Sequence, residues 1–99
     1  MDHETDPTAL LERRLTLVGN VSAVNAEALK VNQRICGLQM DIQRLELMPG
    51  QAEPGDAGSL QAAEAALAGA ETALADCERR IAELESEIEA LDRRLAASG

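Results

Sequence analysis

The chain has 99 residues, nine basic and eighteen acidic, for a net charge of −9, and it contains no Phe, Tyr or Trp. The acidic excess argues against recognition of nucleic-acid phosphates, which needs clustered Lys or Arg to release counterions, and the missing aromatic rings remove base stacking. The length allows one small domain, and no apolar run approaches the roughly 18 residues needed to cross a bilayer.

Residues 1–7 read as a disordered acidic tail. The opening Met1-Asp2-His3-Glu4-Thr5-Asp6 lacks the positive-then-apolar pattern of a secretory signal, and on that ground a cytoplasmic location is expected. Cys36 and Cys77 form no CxxC motif and no dense framework. Such cysteines behave as small hydrophobes in a reducing compartment.

A first long helix is predicted over residues 8–48, which contain no proline. Asp6 is suited to cap it, and Pro7 fits the first turn, where its missing N–H is no loss. The segment 49–58 follows, with two of the three prolines and three of the seven glycines, and reads as a loop. A second helix is predicted over residues 59–97, capped by Ser59 and rich in Ala, Leu and Glu, all strong helix formers.

Both helices carry an unbroken heptad. In the first, Leu10, Leu17, Val24, Val31, Leu38 and Leu45 occupy d, and Arg14, Val21, Ala28, Ile35 and Ile42 occupy a. In the second, Leu60, Leu67, Leu74, Ile81, Ile88 and Leu95 occupy a, and Ala63, Ala70, Cys77, Leu84 and Leu91 occupy d. Antiparallel pairing requires facing positions to have a constant sum with a against d, and a sum of 105 satisfies this from Leu45/Leu60 to Leu10/Leu95. The predicted fold is therefore all-α: an antiparallel two-helix coiled-coil hairpin, expected to dimerise into a four-helix bundle.

A hairpin seam uses one stripe of each helix, so a second apolar stripe points to a partner. The first helix has one at e and b positions: Leu11, Leu15, Val18, Ser22, Asn25, Leu29, Asn32 and Cys36, continued by Met40 and Leu47. It reads first as the self-association face of a homodimer, with Asn25 and Asn32 fixing register. The alternative is a groove that binds and masks an amphipathic helix of another protein, as a small acidic chaperone or inhibitor would.

Charge separates the two arms. Residues 8–48 hold five basic and four acidic side chains, whereas 59–99 hold four basic and nine acidic. On the second arm every e position is acidic: Glu64, Glu71, Glu78, Glu85 and Asp92. This stripe is either a solvated face or a recognition surface for a basic partner, and it faces a neighbouring helix edge with no cations to answer it. On the opposite flank Glu27 and Arg80 are expected to pair.

Arg14 is the one polar seam position. Its stem is expected to lie over Leu91 with the guanidinium reaching a carboxylate such as Asp92. A functional version groups Arg13, Arg14, Arg93 and Arg94 into a basic cluster at the end of the hairpin, able to hold an acidic peptide or anion. Other chemistry is thin. His3, with Asp2, Glu4 and Asp6, offers at most weak chelation, and neither cysteine has a histidine to activate it. No catalytic residue, cofactor, metal or small-molecule substrate is expected, nor a nucleic-acid or membrane partner; the expected function is a non-enzymatic interaction or assembly adaptor.

Overall fold

A computed structural model of the chain describes residues 6–47 and 56–98, and both stretches are helical apart from Asp6. Helix α1 runs Pro7–Leu47 and α2 runs Asp56–Ser98, and the two pack on each other as an all-α helical hairpin. The tail residues Asp2, His3 and Glu4, and most of the expected loop, lie outside the described residues.

The start of α1 follows from its two N-terminal residues. Asp6 accepts a hydrogen bond from the Thr8 N–H through Oδ1 at 3.2 Å, and its carbonyl accepts the first helical bond from the Leu10 N–H at 3.0 Å. Pro7 then occupies the first helical position, where no backbone donor is needed. The second helix begins at Asp56, ahead of the expected Ser59 start. Nothing in Asp56-Ala57-Gly58 forbids a helical turn, because the last proline is Pro54, and Ser59 is accordingly inside the first turn rather than at its cap.

Contacts divide the molecule into two compact units: residues 1–27 with 77–99, and residues 28–76. In the first unit Leu10, Leu17 and Leu91 form a buried cluster flanked by Leu84, Ile88 and Leu95. Position numbers rise on α1 as they fall on α2, which is the antiparallel arrangement. Leu10/Leu95 and Leu17/Ile88 both sum to 105, as the heptad requires. In the second unit Val31, Ile35 and Ala70 are buried and Leu38, Leu67, Ala73 and Leu74 pack against them. There Val31/Leu74, Ile35/Ala70 and Leu38/Leu67 obey the same sum, with Ile opposite Ala giving large-to-small packing.

No position that the heptad assigns to the seam is exposed. Outside the seam, among the described residues, only Ala9, Ala73, Asp76 and Ala90 are comparably covered. Each fully buried aliphatic side chain contributes roughly 1.5–3 kcal/mol by leaving water, so the seam supplies the main favourable term of the fold.

Candidate interaction surface

Helix α1 leaves large aliphatic side chains outside the seam. In the first unit Leu11 is 55% exposed, Leu15 74% and Val18 38%. They follow one another at spacings of four and three, so they lie along one edge of the helix. In the second unit Leu29 is 60% exposed, Met40 70% and Leu47 72%, and Asn32 and Cys36 are exposed too. Asn25 and Ser22 are exposed in the first unit. From Leu15 to Ala26 the helix carries no charged residue at all, in a chain of which 27% is charged.

The stripe is not confined to e and b positions. Between Leu29 and Leu47 the exposed side chains Leu29, Gln33, Cys36, Met40, Gln43 and Leu47 follow one another at b and f, beside the exposed Asn32 and Gln39 at e. Gln33 and Gln43 belong to it and were missed by the e/b assignment. The signal that finds them is helical spacing without the heptad: within the second unit Leu29 and Leu47 are separated by 18 residues, or five turns of 3.6.

The two flanks of the seam differ in the first unit. On the g side, cross-helix pairs close it: Arg80 Nη1 lies 3.2 Å from Glu27 Oε2, the expected pair, and Arg13 Nη2 lies 3.7 Å from Glu87 Oε2. Two shallow grooves run along this side, of about 300 and 500 Å³, with Leu84 in the lining of both. Glu87, which lines both, and Arg80, which lines the smaller, are already engaged.

On the e side one pair spans the helices. Arg14 donates to Asp92 through Nε at 2.6 Å and Nη2 at 3.5 Å. Its hydrogen bond to Asp92, reinforced by the carboxylate's charge, raises the pKa of the guanidinium above its ordinary value, with burial opposing weakly. The seam arginine thus behaves as its packing position implies. Of the acidic stripe, all five members are exposed, and Asp92 has this intramolecular partner, contrary to a stripe wholly without cations. Glu64, Glu71, Glu78 and Glu85 make no ion pair among the described residues.

The arginines of the expected basic end cluster all have partners within the chain. Arg13 is held by Glu87, Arg14 by Asp92 and Arg93 by Glu89 at 3.2 Å, and Arg94 is engaged as well. Arg13 and Arg14 meet their carboxylates across the seam, and Arg93 meets its own one helical turn away. Among the described residues no three His, Cys, Asp or Glu side chains converge to hold a metal ion, and His3 lies outside them. No helix is long and apolar enough to cross a membrane among those residues.

Cys36 is exposed and Cys77 is buried, both as free thiols. That separation agrees with an outward b position for one and a seam d position for the other. Compared with known proteins, the chain matches no family model, no curated protein and no solved structure.

Proposed function

We propose that the protein is a non-enzymatic helical-hairpin interaction module, which associates with another helix through the outward face of α1. The observation that carries the reading is the exposure of Leu11, Leu15 and Val18 along one edge of a helix whose seam is already satisfied by α2, leading into the charge-free stretch from Leu15 to Ala26. Aliphatic side chains in a line along a helix are the anchors by which helices dock into grooves or bundles. Grouped exposure of this kind on an otherwise highly charged surface marks association rather than solubility.

Sedimentation equilibrium over a wide concentration range tests the reading, followed by refractive index because the chain has no Tyr or Trp. A mass of twice the monomer that Leu15→Glu/Val18→Glu returns to one places a second copy on the face. A monomer mass leaves the face open, and binding of an added helical peptide becomes the readout. The reading fails if neither self-association nor peptide binding responds to that double substitution while helicity is retained.

A further inference from the structure

From the charges that border this face in the first unit, we infer that its occupant is a basic amphipathic helix of another protein, rather than a second copy of this chain. The inference rests on the interaction-module reading and names its partner by chemistry.

The apolar anchors are Leu11, Leu15 and Val18. Arg14 is their neighbour on α1, one turn from both Leu11 and Val18, and it is bonded to Asp92. Asp92 therefore fixes which edge of α2 runs beside the patch. Two turns back along that edge is Glu85, level with the stretch of α1 that follows Val18, and Glu12 borders Leu11 and Leu15 on the outer side of α1. Neither Glu12 nor Glu85 makes an ion pair among the described residues.

Among the described residues of the same unit, every Arg is engaged. Arg13, Arg14, Arg79, Arg80 and Arg93 pair with Glu87, Asp92, Glu83, Glu27 and Glu89 respectively, and Arg94 is engaged too. A two-fold contact of the patch with itself sets like rims together, because an isologous interface presents the same surface from both sides. Carboxylates would then face carboxylates with no free arginine among the described residues of the unit to answer them, and each chain brings a net charge of −9. A helix with Leu-like residues on one face and Lys or Arg beside them meets both features: its apolar side covers the leucines and its cations reach Glu12 and Glu85. Complementary charge of this kind selects the partner and speeds encounter more than it deepens affinity.

The test is fluorescence anisotropy with a dye-labelled helical peptide of about 18 residues built from Leu and Lys, alongside a Leu/Glu peptide of the same pattern. Wild type is expected to bind the Leu/Lys peptide and not the Leu/Glu one. Leu15→Glu/Val18→Glu is expected to weaken binding about tenfold or more even though it adds two negative charges, which separates docking from bulk attraction. Glu12→Gln/Glu85→Gln is expected to weaken binding and flatten its salt dependence, whereas Asp41→Asn/Glu46→Gln, an equal charge removal in the second unit, leaves it unchanged. Circular dichroism on each variant confirms the helical fold. Unchanged or tighter binding by Leu15→Glu/Val18→Glu, or equal losses from the two charge-removal pairs, overturns the inference. A stable dimer dissolved by Leu15→Glu/Val18→Glu also overturns it, while leaving the interaction-module reading intact. No response of any association to that variant overturns both.

Discussion

The guanidinium of Arg14 holds the carboxylate of Asp92 across the hairpin, Nε to Oδ1 at 2.6 Å and Nη2 to Oδ2 at 3.5 Å, from a position the heptad reserves for an apolar side chain. Both partners are substantially exposed, with side chains 41% and 50% accessible, and such pairs contribute little net stability. Arg14→Leu is therefore expected to raise the thermal midpoint by a few degrees, because a leucine at this seam position buries apolar surface beside the buried Leu91 with no charged group to keep hydrated. The guanidinium pKa is raised by its bond to Asp92, so the arginine's contribution is complete below the ordinary arginine range and lost only as pH rises through the higher folded value. The difference between wild type and Arg14→Leu should consequently be flat between about pH 6 and pH 9, as followed by circular dichroism melts. A difference that changes across that window would mean that another titrating group contributes to the site.

Leu15 and Leu17 are two residues apart and have opposite roles. Leu17 is 5% exposed in the cluster with Leu10 and Leu91, whereas Leu15 is 74% exposed. Leu17→Ala removes buried methyl groups and leaves a cavity, and should cost roughly 2–4 kcal/mol, a large share of the stability of a small domain. Leu15→Ala should change the stability of the monomer by less than about 0.5 kcal/mol. Urea titrations at a concentration where the protein is monomeric compare the two directly. Comparable losses would place Leu15 in the fold rather than on its surface.

The seam was legible because a heptad states it twice, once in each helix, and the constant sum of facing positions then links the two. Ile35 against Ala70 and Leu17 against Ile88 needed only apolar periodicity and the antiparallel direction. Exposed positions are less constrained, and the reading weakened there. Gln33 and Gln43 join the outer stripe of α1 because helical spacing governs an unpaired face, whereas the heptad governs only the paired one. The ion pairs of the end arginines depend on particular neighbours rather than on periodicity. Arg93 has Glu89 one turn away on its own helix, and Arg13 has Glu87 across the seam, so local and cross-helix carboxylates claim the cations first. The start of α2 at Asp56 shows the remaining ambiguity, since Ser59 is a good cap in composition but a helix needs only the absence of a breaker to begin earlier.

Gly19, Gly37 and Gly69 sit inside long helices, where glycine costs conformational entropy on folding. A Cβ at any of the three would meet nothing within 4 Å, and none has a positive φ. Replacement by alanine should therefore stabilise the hairpin by roughly 0.5–1 kcal/mol at each position. The sites lie on outward faces, so the triple variant should approach the sum of the single effects. Chemical denaturation of the three single variants and the triple variant measures this. A loss of stability at Gly37→Ala alone, next to the exposed Cys36, would indicate that a second chain approaches the helix there.

The two thiols report separately on the surface and the seam. Cys36 is exposed on α1 and Cys77 is 1% exposed, and neither is joined in a disulfide. A thiol reagent reacts with an accessible cysteine at the rate of a free thiol, but reaches a buried one only when the chain opens. With native protein, one equivalent of thiol should react at once, and mass spectrometry of the digested product should find it on Cys36. The second should react at a rate proportional to the population of open molecules, and should quicken in Leu17→Ala and slow in Gly19→Ala, in step with their stabilities. Immediate labelling of Cys77 in the native protein would contradict a closed seam at that position. Protection of Cys36 that grows with protein concentration would instead show that a second copy covers this part of α1, since dilution alone would restore its reactivity.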